Sequence, residues 1–161
     1  MVEIKISNLS PFKKAYSPIK LKKIAEKVFV NEGIADHNCE LSLVFCDDEF
    51  IRNLNKTYRK KNKPTDVLSF SVPSHFPIGE IKHMGEIVIS LESVFNKYSE
   101  NPEKAKQEIY LLFCHALLHL LGYVHDTQEQ RKAMMEKQAK YLNIDLKSAW
   151  IKYPKRMERK G

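Results

Sequence analysis

From Asn101 to Gly122 the chain reads NPEKAKQEIYLLFCHALLHLLG, and this segment limits the fold more than any other. Asn101 can cap a helix, and Pro102 suits its first turn, where a missing N–H is no loss. Gly122 suits the left-handed residue at which such a helix stops. The predicted helix is polar at its start, but Ile109, Leu112, Phe113, Leu117 and Leu120 leave it little polar surface farther on. A helix of this kind lies across a sheet as a central element, with other helices around it.

The rest of the sequence supplies those partners. Val2, Ile4 and Ile6 alternate with Glu3 and Lys5 as a half-buried strand does. Ser17-Pro18 opens a helix whose apolar stripe, Leu21, Ile24, Ala25, Val28 and Phe29, runs on to Gly33. Leu41, Leu43 and Phe45 give a second strand, and Asp47 caps a helix carrying Phe50, Ile51 and Leu54. The stretch KTYRKKNK, residues 56–63, is expected as a basic loop. TDVLSF and EIVIS give two more strands, joined by a surface loop containing Pro73, Pro77 and Gly79. Ser90 caps a short helix over Leu91, Val94 and Phe95, and Thr127 with Gln130 forms a capping box for a last helix to about Leu142. The expectation is an α+β or α/β sandwich of about four strands whose order one chain does not reveal.

A length of 161 residues, 43% of them apolar, suits one domain. We expect it to span residues 1–151, followed by a basic, disordered tail over 152–161. The start, MVEIKISNLS, has no signal-peptide pattern, and no charge-free stretch approaches membrane-spanning length, so a soluble cytoplasmic protein without a membrane partner is expected. Cys39, Cys46 and Cys114 form no paired framework and suit buried thiols in a reducing compartment. The net charge of +7 is concentrated in residues 1–27, 56–63 and 131–161, a distribution that attracts polyanions such as nucleic acid.

Histidines carry the chemistry. His115 and His119 lie four apart on the central helix, only about 40° apart around its axis, so both rings can reach one point. Gly122 lets the chain return, and His125 can approach from the side. Three neutral imidazoles suit one divalent ion, Zn2+ first, at the end of the central helix, with one position left open as in catalytic rather than structural sites. Polar rings inside a leucine-rich stripe are costly without such a partner. Asp126 is either an acceptor beside these rings or a helix cap. Cys114 points away and is expected in packing. The spacing also suits metzincin peptidases, but their glutamate after the first histidine is here Ala116, and a methyl group is no general base.

Three blocks, LNKTYRKKNKPTDVLSF (Leu54–Phe70), MGEIVIS (Met84–Ser90) and HALLHLLGYVHD (His115–Asp126), resemble the YbeY family of bacterial metal-dependent endoribonucleases. The resemblance extends over nearly the whole chain. It implies an α+β fold, here a mixed sheet of about four strands with about five helices, and one zinc-like ion on His115, His119 and His125. It further implies cleavage of single-stranded ribosomal RNA in 3′-end maturation of the small-subunit (16S) RNA and in ribosome quality control, in the cytoplasm. The small ribosomal subunit or its assembly factors would be partners. The arginine of the family pattern is Arg59, expected to grip phosphoryl oxygens, so Arg59, His115 and His119 are the catalytic candidates. A ribosome-associated RNA-binding assembly factor with a mainly structural metal stays open as the alternative.

Other positions carry secondary expectations. Lys56, Lys60, Lys61 and Lys63 would follow the phosphate backbone without reading bases. Thr65, Asp66 and Ser69 would organise the Arg59 loop. Tyr58 and Phe76 would either stack on unpaired bases or pack in the core. The family usually has glycine at Ala116, aspartate at Val124 and aspartate at Glu86. Glu86 is left between a supporting role at the site and ordinary strand polarity.

Overall fold

A computed structural model of the chain describes residues 1–12, 15–34, 38–72 and 81–150. The elements follow the order β1 (Val2–Asn8), α1 (Pro18–Asn31), β2 (Asn38–Cys46), α2 (Asp48–Arg59), β3 (Val67–Ser71), β4 (Ile81–Ser90), α3 (Leu91–Lys97), α4 (Pro102–Leu120) and α5 (Gln128–Leu142). A single 3₁₀ turn, Leu146–Ser148, follows α5. The four strands form one mixed sheet in the order β1-β2-β4-β3, with β1, β2 and β4 parallel and β3 antiparallel to β4. This is the α+β architecture expected, and the strand order is the part that patterning had left open.

Each expected cap is present. The side chains of Ser17, Asp47, Ser90, Asn101 and Thr127 accept backbone N–H groups at the starts of their helices, and Thr127 with Gln130 completes the capping box. The strand pattern sorts the sheet into two faces. Leu41, Leu43 and Phe45 of β2 with Ile87 and Ile89 of β4 join α1, α3, α4 and α5 in the main core. Cys46, Leu68 and Val88 face the other way and meet Ile51 of α2 in a smaller cluster. The second half of α4 is buried on all sides, from Glu108 to Leu118. Its one carboxylate there, Glu108, is balanced by Lys97 at 2.9 Å, as a charge in such a place requires.

Two boundaries differ from the sequence reading. Half of the basic segment is helical: α2 continues to Arg59, and Lys60 ends it in the left-handed conformation at φ 60°. Positive side chains at Lys56 and Arg59 suit the negative end of a helix dipole, so charge did not mark a loop there. Strand β4 also begins before EIVIS, at Ile81, and carries a bulge: Glu40 pairs with His83 and Leu41 with Gly85, leaving Met84 extra. Pro73, Phe76, Pro77, Gly79 and the tail from Lys152 lie outside the described residues.

Gly85 is required by that bulge. Its φ is +131°, and a Cβ there would stand 2.3 Å from the carbonyl oxygen of Phe70 on β3. Gly85→Ala should therefore destabilise the fold by about 1–3 kcal/mol, seen as a lower urea midpoint with an unchanged slope. An unchanged midpoint would mean that the β3–β4 pairing moves apart without cost.

Candidate metal centre

The C-terminal end of α4 is built by one turn. The Gly122 N–H donates to the His119 carbonyl at 3.0 Å and the Tyr123 N–H to the Leu118 carbonyl at 3.0 Å, the two bonds of a Schellman motif. Gly122 supplies its left-handed residue at φ +100°. The motif reverses the chain so that the Tyr123 carbonyl comes back over the last helical turn, where it lies 2.8 Å from His119 Nδ1. Farther along the same return, His125 reaches the two helical histidines. One ligand atom from each of His115, His119 and His125 lies within 4.8 Å of the others.

The hydrogen bonds of the rings decide what these atoms can do. His115 Nδ1 lies 2.8 Å from Oε1 of Gln138, a fully buried α5 side chain whose Nε2 donates to the Ala149 carbonyl. Because the Gln138 amide spends its donor on Ala149, its oxygen faces His115 and must accept, so His115 carries its proton on Nδ1. The Tyr123 carbonyl likewise accepts only, so His119 also carries its proton on Nδ1. Both Nε2 atoms therefore present bare lone pairs, and they face each other across 2.9 Å. Two lone pairs at that distance repel unless a cation lies between them or one ring is protonated. Protonation is opposed. Burial pushes the His115 pKa down to about 3, with the fields of His119 and His125 adding to it. Burial also lowers His119, with His125 and Arg59 pushing the same way against the Tyr123 carbonyl and Asp126. The donor set fits a borderline divalent ion held by neutral imidazoles.

Around the histidines lies a groove with a volume of about 960 Å³. Arg59, Lys61, Lys63 and Ser69 lie on one side of its lining, and Val124, Asp126, Arg131 and Trp150 belong to it as well. Arg59 is aimed by two contacts from β3: its Nη2 donates to the Ser69 carbonyl at 2.8 Å, and its guanidinium lies over the Phe70 ring at 5.6 Å. The turn after α2 is held by Asn55, whose backbone carbonyl accepts from the Lys61 N–H and whose buried side chain donates to the Lys63 carbonyl at 2.9 Å.

Several sequence expectations change here. Asn55, rather than Asp66, organises the basic turn; the Asp66 carboxylate faces Lys97 at 3.6 Å. Asp126 is not the cap of α5, which is Thr127, but it is an exposed groove residue. Tyr58 is not core: it is 64% exposed and meets Phe70 edge-on. Glu86 is exposed on β4, next to the Gly85 that approaches α4, and does not line the groove. Cys39, Cys46 and Cys114 are buried, and burial pushes Cys46 and Cys114 up to about 12, far from thiolate chemistry. Gln138 and Trp150 went unnoticed in the sequence. A signal for Gln138 existed, since it shares a helical stripe with Met134 and Tyr141 and is the polar member of it.

A family profile described as "Endoribonuclease YbeY" matches residues 6–144. Among curated relatives, the "Endoribonuclease YbeY" of Thermoanaerobacter sp. (strain X514) is 41% identical over 135 residues, covering 74% of this chain and 84% of its own length. That of Aquifex aeolicus is 42% identical over 115 residues, covering 70% of this chain and 74% of its own. The chain belongs to the YbeY endoribonuclease family. The solution structure of TM1509 from Thermotoga maritima aligns over 93% of this chain and 89% of its own, with 26% identity and a TM-score of 0.48. Within the YbeY family this chain carries Val124, 44% exposed, directly before His125, so no carboxylate stands at that step of the return. Ala116, almost fully buried, takes the place where a peptidase would need its glutamate. Among the described residues no helix is long and apolar enough to cross a membrane.

Two outcomes follow from the proton arrangement. Gln138→Leu should weaken zinc binding by about 10–100-fold, measured by competition with a chromophoric chelator; unchanged affinity would show that the amide does not orient His115. In the metal-free protein the unfolded chain protonates His115 near 6.5, whereas the folded chain resists until about 3. Stability should thus fall as pH drops through that window, by up to ~1.4 kcal/mol per pH unit from this residue. His115→Gln should remove that part of the slope in urea titrations run at successive pH values.

Proposed function

We propose that this protein is a zinc-dependent endoribonuclease that cleaves single-stranded RNA in 3′-end maturation of the small-subunit ribosomal RNA. The observation that carries the reading is the pair of bare Nε2 atoms beside His125, set in a groove that Arg59, Lys61, Lys63 and Arg131 make cationic. Membership of the endoribonuclease family supports it, and the +7 net charge suits a polyanionic partner. The small ribosomal subunit or its assembly factors present the RNA, and the cytoplasm is the compartment.

The chain's own residues divide the work. His115, His119 and His125 would hold Zn2+, which would supply Lewis acidity there. The Nδ1 protons of His115 and His119 stay committed to Gln138 and Tyr123. Arg59 meets the phosphoryl group from the β3 side. One of its N–H groups is anchored on Ser69, which fixes the plane of the guanidinium and leaves further donors for two phosphoryl oxygens. Charge on those oxygens grows in the transition state of phosphoryl transfer, so a fixed guanidinium contributes more there than in the ground state. Lys61 and Lys63, set by Asn55, hold the neighbouring phosphates without reading bases.

The test compares zinc content and cleavage of a small-subunit RNA 3′ fragment for wild type, His119→Ala and Arg59→Ala. His119→Ala should lose both zinc and cleavage. Arg59→Ala should keep zinc and cleave about 100-fold more slowly. Equal cleavage by all three proteins would end the nuclease reading. Tight binding of an RNA that stays intact would favour an assembly factor whose metal is structural.

A further inference from the structure

Cations in the groove account for the grip on phosphate but not for a preference for unpaired strands. Trp150 is the feature they leave over. It is the one tryptophan of the chain and follows the short turn after α5. Its ring lies 5.7 Å from the rings of both His115 and His125, at 80° and 89° to them. It is half-buried and belongs to the lining of the groove.

Its position is specified. The neighbouring Ala149 is fully buried, and its carbonyl accepts from Gln138 Nε2, the other end of the amide that orients His115. One side chain thus sets both the first histidine and the segment that carries the indole. Ala149 is enclosed, and the tryptophan beside it packs against the main core while also lining the groove. There it is a broad planar apolar surface among cations that otherwise offer only charge.

We propose that Trp150 is a stacking platform for an unpaired nucleobase next to the phosphate held at the metal centre. The proposal rests on the endoribonuclease reading and deepens it by naming what makes the substrate single-stranded. A base inside a duplex already has both faces covered by its neighbours, whereas an unpaired base can offer one to an aromatic ring. Arg59 and Arg131 then bind phosphates of any strand, and Trp150 adds affinity only for strands with free bases.

The indole is also the probe. The zinc-loaded full chain is titrated with a 2′-O-methyl oligoadenylate, with an abasic strand of the same length and with a blunt duplex. Strand integrity is checked on gels. The tryptophan emission of the wild type should change on binding the oligoadenylate and stay nearly constant with the abasic strand. Affinities of the wild type and of the variants, which have no tryptophan emission, are read from the fluorescence anisotropy of end-labelled strands: W150A should bind the oligoadenylate about tenfold more weakly and the abasic strand as before, while W150F retains most of the preference. Equal affinity of W150A and wild type for the oligoadenylate would overturn the proposal, as would an equal loss for both strands with zinc retained. Should W150A shed zinc or melt early, W150L keeps an apolar wall without an aromatic face and is judged by the same criterion. Failure of the wild type to bind or cleave any RNA is a different result, and it removes the nuclease reading itself.

Discussion

The Tyr123 carbonyl can accept the Nδ1 proton of His119 only because the chain reverses at Gly122. That bond, with its counterpart from His115 to Gln138, sets the chemistry of the site. An imidazole that gives its proton at Nδ1 must present a lone pair at Nε2. Two such rings one helical turn apart then aim lone pairs at one point inside a structure that resists protonating either. The site is therefore strained in charge rather than in backbone, and a cation relieves it. The rest of the fold holds this arrangement in place: the sheet and the surrounding helices bury α4, and that burial is what keeps the rings neutral.

The supports extend beyond the histidines. Glu32, just after α1, accepts from the Tyr123 hydroxyl at 2.5 Å, from Lys137 at 2.8 Å and from Tyr141. Burial alone would raise the Glu32 pKa; the hydrogen bonds from Lys137 and the two tyrosines outweigh it and hold the carboxylate ionised. The same Tyr123 that orients His119 through its backbone is thus moored to α1 and α5 through its side chain. On the opposite wall Arg59 depends on β3, and β3 reaches its register through the close approach of Gly85 to Phe70. The three histidines and Arg59 come from different parts of the sequence, yet the β3–β4 pairing and the seat of α4 on it fix their relation.

Much of this was legible in the sequence where the signal is local. Caps, periodicity and the glycine stop delimited the helices, because each depends on residues within a turn of one another. The histidine spacing likewise reported its own geometry. What escaped depends on contacts between distant segments. Gln138 lies in KQAKYL, a stretch whose lysines make the helix look solvent-facing, and its buried role exists only because Ala149 and His115 converge on it. Asn55 looked like one more polar residue of a basic segment, since the carbonyls it serves come from the turn beyond the helix. Charge misled at Lys56–Arg59 for a related reason: basic side chains are as much at home in a last helical turn as in a loop.

Val124 brings these lines together. The resemblance implies a carboxylate directly before the third histidine, and here an exposed valine occupies that step. The fold does not need the carboxylate for orientation, because Tyr123 and Gln138 already fix the helical rings. The neighbouring charge comes instead from Asp126, two residues on, which lines the groove and whose field favours a charged His119. Its backbone N–H is held by Gln130 at 3.0 Å, so the start of α5 sets where that carboxylate stands. The return from α4 thus delivers a tautomer lock at Tyr123, the third imidazole at His125 and a carboxylate at Asp126 in four residues. An apolar side chain is tolerated between them because it carries none of the three tasks.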